Sequence, residues 1–197
     1  MWAQPWWVNL LLLVPALSYF FWRRRGLQLT WRKLLTLAVF GAAFGFVEAA
    51  VVVYLRTAAG ALGNENSTIS ELRHSSSTYQ IAVASLAQFP QSLRTIEVFR
   101  EAATMIMLGS VALLSGARAK ERWACFLWVF AAWDLTYYAG LWATMRWPSS
   151  LSDYDVLFLI PVPWVSHVWF PVLVSGLTML AVALSRIEDS ARTRDHG

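Results

Sequence analysis

Cysteine is almost absent from this sequence, because Cys125 is the only one among 197 residues. An internal disulfide and a cysteine-rich metal or redox motif are therefore excluded. Charge is also scarce, with 14% of residues charged and 57% apolar. A soluble globular domain carries about a quarter charged residues. These shortages indicate an integral membrane protein whose first partner is the lipid bilayer.

Histidine is rare as well, and of the three only His167 lies in an apolar segment. One imidazole could supply only one axial ligand per chain, so the sequence gives little support for haem. The net charge is +4. The basic residues fall in short loops between apolar runs, however, so they indicate membrane orientation and no nucleic-acid partner.

Five apolar segments approach or reach the roughly 20 residues that cross a hydrocarbon core. They cover residues 6–22, 34–54, 95–114, 123–145 and 162–184. The first has three arginines after it and no basic residue before it, the reverse of a secretory signal, so we expect a retained span. The sequence therefore predicts an all-α polytopic membrane helix bundle of about five transmembrane helices. Residues 1–185 form one domain and residues 186–197 a tail.

Eleven of the sixteen cationic residues lie on one side of these segments. They are Arg23, Arg24, Arg25, Arg32, Lys33, Arg118, Lys120, Arg122, Arg186, Arg192 and Arg194. Short loops rich in Lys and Arg stay in the cytoplasm. We expect an outer N-terminus and a cytoplasmic C-terminus.

The long outer loop, residues 57–94, begins without an apolar period. In its second half, Tyr79, Val83, Leu86 and Pro90 recur at helical spacing. This spacing predicts a short helix lying on the membrane or over the bundle.

The segment before the last span has a different irregularity. Ser152 and Asp155 have the spacing of a capping box, and Pro161 and Pro163 follow. A capping box begins a helix and proline interrupts one. The sequence predicts a half-helix over residues 153–160, broken by proline, at the outer mouth of the bundle.

Five ionisable residues lie within the predicted spans, namely Glu48, Glu97, Arg100, Glu101 and Asp134. A charge at the bilayer centre costs at least about 2.5 kcal/mol, so such groups usually face a bundle interior and mark a functional site. Glu97 and Glu101 share one helical face with Arg100 beside them. Asp134 is equally far from Arg122 and Arg146, which places it near the midplane.

Two tyrosines, Tyr137 and Tyr138, follow Asp134 by about one helical turn. Their phenols could donate hydrogen bonds to its carboxylate as a relay. Structural roles remain open: Arg100 could simply neutralise the glutamates, and Asp134 could fix helix register. His167 has a depth similar to that of Glu48 and Glu101.

Two strings resemble motifs of a family of bacterial multi-pass inner-membrane proteins. They are WDLTYY, residues 133–138, and DVLFLIPVPW, residues 155–164. The resemblance implies one bacterial inner-membrane domain, and it carries no activity and no catalytic assignment.

The first functional hypothesis is an outward-facing acidic cavity that holds a divalent metal. Four carboxylates would meet a single Arg100, so they must take up protons or bind a cation. Manganese, iron or zinc suits ligands of this type. The candidate metal ligands are Glu48, Glu97, Glu101, Asp134 and His167, with Arg100 and Asp155 binding the cofactor at its edge. If the chain is an enzyme, it would act on a lipid-soluble or periplasmic substrate, and the catalytic candidates are Glu97, Glu101, Asp134, Tyr137 and Tyr138.

Two alternatives stay open. In the second hypothesis, Asp134 and the three glutamates exchange protons as part of a proton or ion pathway. In the third, the chain is a non-catalytic accessory subunit of a homo-oligomer or larger complex. Its working surface would then include the face of Gly41 and Gly45, whose spacing favours close helix contact.

Overall fold

The computed structural model describes residues 2–63 and 91–194, and these fold into helices and one β-hairpin. A short 3-10 helix, Trp6–Leu12, leads into α1, Leu13–Arg25. The other helices are α2, Trp31–Gly63; α3, Gln91–Ser115; α4, Ala119–Met145; and α5, Trp169–Arg194. The strands are β1, Tyr154–Phe158, and β2, Trp164–His167. The interfacial helix predicted around Tyr79 to Pro90 lies outside the described residues.

Four helices in the described part are long and apolar enough to cross a membrane: Trp31–Leu55, Gln91–Ser115, Ala119–Met145 and Trp169–Arg186. The prediction of a largely helical, multi-pass architecture is confirmed in this coarse form. Helix α1 has 13 residues. Its own length of about 20 Å is less than the ~30 Å hydrocarbon core, and the 3-10 helix Trp6–Leu12 precedes it without a break. The fifth span therefore stays a prediction.

Helix α4 is the most buried of the four candidate spans, and α2 lies directly on it. A Cβ added at Gly41 would be 2.6 Å from the Val129 carbonyl oxygen, and one at Gly45 would overlap the Trp133 carbonyl oxygen. The small residues let the two backbones approach closely, as their spacing predicts. Their face is thus occupied by α4 of the same chain, which leaves it unavailable to an outside partner.

Basic side chains tie the helix ends together on one face of the bundle, which we call the basic face. Four of them donate hydrogen bonds to backbone carbonyls, three of which lie at helix C-terminal ends, where cations are favourable. The pairs are Lys33 with Ser115 (2.7 Å), Lys120 with Gly26 (2.5 Å), Arg122 with Gly116 (3.0 Å) and Arg186 with Leu29 (2.8 Å). These cations therefore stabilise the fold.

The opposite end of the bundle, which we call the hairpin face, contains a β-hairpin where the sequence predicts a half-helix. Residues 153–160 contain strand β1, which pairs antiparallel with β2, with Tyr154 opposite His167 and Val156 opposite Val165. The Asp153 carboxylate accepts hydrogen bonds from the Ser149 and Ser150 amides, at 2.7 and 3.2 Å. It closes a turn where the sequence predicts a helix start, and the aromatic and β-branched run that follows favours a strand.

The last helix also begins later than predicted. Residues 162–168 belong to the hairpin, and α5 starts at Trp169. The N-terminal segment completes this face, because Gln4 and Val165 exchange two backbone hydrogen bonds of 2.9 and 2.8 Å. The Trp7 and Trp164 rings pack edge to face at 5.0 Å. The hairpin is thus fixed on the bundle by the first residues of the chain.

Candidate functional site

A charged cluster joins α2 to α3, and we call it the Arg100 cluster. Arg100 forms an ion pair with Glu48, and its Nε donates to Glu97 Oε2 at 2.8 Å. Thr104 Oγ1 donates to Glu48 Oε1 at 2.5 Å. Glu97, Arg100 and Thr104 share one face of α3 by helical spacing, whereas Glu48 lies one turn beyond Gly45 on the packing face of α2. Burial of Glu48 is therefore balanced by a cation and a hydroxyl.

Glu101 has a different partner from its neighbours on α3. Its Oε2 accepts a hydrogen bond from the backbone amide of Leu159 at 2.8 Å. Strand β1 ends at Phe158, which still pairs with Trp164 after a register irregularity, so Leu159 lies just beyond the paired strand. The Leu159 amide is partly buried, and Glu101 supplies the acceptor that it needs. It links α3 to the hairpin face.

A second polar cluster joins α4, α5 and β1, and we call it the Asp134 cluster. Ser175 Oγ donates to Asp134 Oδ2 at 2.8 Å, and the Tyr138 hydroxyl donates to Asp155 Oδ2 at 3.0 Å. All four side chains are buried. The sequence predicts that Tyr138 donates to Asp134, and the structure instead pairs Tyr138 with Asp155. The hairpin places Asp155 inside the bundle beside Tyr138, whereas the predicted half-helix places it at the edge of the cavity.

The two aspartates of this cluster lie near each other, because Tyr138, one helical turn after Asp134, bonds to Asp155. Two like charges in a poorly hydrated interior repel strongly, so simultaneous ionisation is unfavourable. Hydroxyl groups beside them can both donate and accept hydrogen bonds. The Asp134 cluster is thus suited to holding a proton.

Tyr137 lies between the two clusters. Its ring packs against the Tyr138 ring at 5.1 Å and stacks on Trp133 at 6.1 Å. It also lies near Arg100. Tyr137 is therefore close to members of both clusters.

His167 serves the hairpin. Its Nδ1 donates to the Ser152 carbonyl oxygen at 2.5 Å, and its ring packs on Tyr154 at 4.0 Å. His167 is therefore a hydrogen-bonded polar side chain at the end of strand β2.

Within residues 2–63 and 91–194, no group of three or more His, Cys, Asp or Glu side chains is arranged to hold a metal ion. The predicted ligands are instead distributed over separate hydrogen-bond partners: Glu48 and Glu97 on Arg100, Glu101 on Leu159, Asp134 on Ser175, and His167 on Ser152. The metal hypothesis stays a prediction.

Sequence reasoning missed Ser175. The available signal was that the apolar run between Phe170 and Leu184 has no charged residue and only two hydroxyl residues, Ser175 and Thr178. Both are buried. Polar residues within a span usually face other helices, so the pair could have marked the side of α5 that faces α4.

The chain matches no protein-family model, and comparisons with curated proteins and with solved structures give no match. The resemblance carried by WDLTYY and DVLFLIPVPW therefore stays a prediction.

Proposed function

We propose that this chain forms a proton half-channel, which carries protons from the hairpin face to Asp134 near the middle of the bilayer. The observation that carries the proposal is the buried hydrogen bond from Tyr138 to Asp155, next to Asp134. Buried acids within a membrane mark proton relays in pumps and transporters. A phenol can pass a proton because it accepts one while donating another.

The order of groups supports a path of short steps. Asp155 lies on β1 at the hairpin face, and Tyr138 reaches it from α4. Asp134 is four residues earlier on α4, about 6 Å along the helix axis. Ser175 then holds Asp134 from α5. Each group is a proton donor or acceptor, and the proposal requires a proton to pass between Tyr138 and Asp134, which lie one helical turn apart on α4.

The path ends at Asp134 on the described part of α4. The buried residues of this helix between Glu121 and Asp134 are apolar: Ala124, Cys125, Leu127, Trp128, Val129, Ala131, Ala132 and Trp133. A proton at Asp134 would therefore be passed to a partner subunit, to a second copy, or to a reaction at that depth. This end point supports a component of a proton pathway over a self-contained channel.

The Arg100 cluster would tune this path. It sets two carboxylates, Glu48 and Glu97, against one guanidinium. Tyr137 lies between this cluster and Tyr138. A change in the protonation of Glu48 or Glu97 would therefore alter the electrostatic potential at the relay.

The orientation belongs to the same proposal: the basic face is cytoplasmic in a bacterial inner membrane, and the hairpin face is outside. Cys125 is buried, so single cysteines can report accessibility. In intact cells, an impermeant maleimide should label Ser150→Cys on the hairpin face. It should leave Gln28→Cys on the basic face unlabelled. The opposite labelling pattern would contradict the orientation.

Infrared spectroscopy of the full chain in lipid tests whether the relay holds a proton. A protonated carboxylic acid has a carbonyl stretch distinct from that of a carboxylate, and we expect this band at neutral pH. Asp134→Asn should remove all or most of it. The control Asp153→Asn, on the exposed turn, should leave it unchanged. A spectrum without the band in the unmodified protein would overturn the proposal.

A further inference from the structure

An open pocket of about 320 Å³ lies at the hairpin face, between the end of α4 and the start of α5. Its walls include Tyr138, Ala139, Trp142, Leu151, Val168 and Val172. Ligand pockets generally enclose roughly 300–1,000 Å³, so the space is sufficient for part of a small molecule or one lipid chain.

The pocket opens toward the surroundings of the bundle. Ala139 and Trp142 are exposed although they belong to a candidate span, and Leu151 beside them is 56% exposed. Exposed side chains of a span face lipid, and Trp142 near the end of α4 lies at the level that tryptophan prefers in a bilayer. A lipid molecule can therefore enter the pocket from the side.

A cation, Arg146, lies beside Trp142, which lines the pocket. Arg146 ends α4 in the left-handed conformation, with φ 57°. Its guanidinium lies 4.5 Å from the centroid of the Trp142 ring. Among the ion pairs of the described residues, all of which involve Arg100, no carboxylate neutralises Arg146. A planar guanidinium held over an aromatic ring favours a phosphate or carboxylate in its plane.

We infer that this pocket binds an anionic phospholipid, whose phosphate pairs with Arg146 and whose acyl chain lies along Ala139, Trp142 and Val172. Charge complementarity selects the headgroup, and the apolar wall selects the chain. The inference does not rest on the proton half-channel, because it uses neither Asp134 nor the hydrogen bond of Tyr138.

Native mass spectrometry of the full chain in detergent, titrated with phosphatidylglycerol or phosphatidylcholine, tests this site. We expect phosphatidylglycerol to bind about tenfold more tightly, which corresponds to about 1.4 kcal/mol. Arg146→Gln should abolish the preference. Arg23→Gln, which removes an exposed cation on the basic face, should preserve it. Added inorganic phosphate should not displace the lipid, since the chain contributes to binding.

A matched pair of variants tests the acyl-chain wall. Ala139→Leu should fill the pocket and weaken binding of phosphatidylglycerol severalfold. Ala143→Leu adds the same atoms at an exposed position one turn later on α4 and should have no effect. Equal affinity for the two lipids, loss of preference in Arg23→Gln, or equal binding by both leucine variants would overturn the inference.

Discussion

The hydroxyl of Tyr138 donates a hydrogen bond of 3.0 Å to Asp155 Oδ2, and this contact joins the central helix to the hairpin. Both groups are buried. The contact joins a phenol, one helical turn from Asp134, to a carboxyl group near the hairpin face. The account of a proton half-channel depends on this relationship, while several other contacts of the fold can be tested independently.

Close packing of α2 on α4 predicts that Gly45→Ala destabilises the bundle. Its added Cβ would overlap the Trp133 carbonyl oxygen. Forcing atoms into a packed interface typically costs about 1–3 kcal/mol. Reversible unfolding in mixed micelles measures this loss. Gly109→Ala and Gly176→Ala are matched controls, because an added Cβ meets nothing within 4 Å at either position. Equal stability of Gly45→Ala and these controls would contradict the packing.

The Arg100 cluster predicts a strong coupling between Glu48 and Arg100. Arg100→Gln leaves a buried carboxylate without its cation, which should lower stability by about 3–5 kcal/mol. The double variant Glu48→Gln with Arg100→Gln should recover much of this loss. A double-mutant cycle from the same unfolding measurement gives the coupling energy. Additive effects would show that the ion pair contributes no coupling.

Glu101 should hold the hairpin through the Leu159 amide. Glu101→Ala removes the acceptor of a partly buried N–H, which costs up to about 1 kcal/mol because water can replace part of the bond, whereas Glu101→Gln retains an acceptor oxygen. We expect faster hydrogen exchange at the Leu159 amide in the alanine variant and near-normal exchange in the glutamine variant. Unchanged exchange in Glu101→Ala would exclude this role.

The metal content of the purified protein distinguishes the proton half-channel from the divalent metal site that the sequence favours. The carboxylates of Glu48 and Asp134 already accept hydrogen bonds from Thr104 and Ser175. We therefore expect purified, chelator-washed protein to hold less than stoichiometric manganese, iron or zinc by elemental analysis. A tightly bound stoichiometric metal that Asp134→Asn removes would instead support the metal site.

The sequence predicts much of the helical framework, because periodicity and length are local properties. The small-residue spacing of Gly41 and Gly45 identifies the packing face of α2, and helical spacing places Glu97 beside Arg100. Neither pattern tells which helix lies opposite. Only the three-dimensional structure shows that α4 packs against the two glycines. It also shows that Glu48 pairs with Arg100.

The prediction of a half-helix over residues 153–160 is the main error, because this segment forms a strand of the hairpin. A short apolar run between turn residues fits either a strand or a helix segment, and periodicity alone does not distinguish them. The error had a direct consequence for the site. Asp155 on a strand reaches Tyr138, whereas the predicted half-helix left it at the rim of a cavity. The Ser175 partner of Asp134 was missed because contacts between distant helices leave only a weak local signal.

The most direct test of the half-channel is the rate at which the buried carboxylic acid exchanges its proton for deuterium, followed by the infrared shift of its carbonyl band. Tyr138→Phe removes the hydroxyl and keeps the ring, so it should slow exchange at Asp134 at least tenfold while the band remains. Tyr54→Phe, which alters an exposed tyrosine on α2, should exchange like the unmodified protein. An unchanged exchange rate in Tyr138→Phe would contradict the relay.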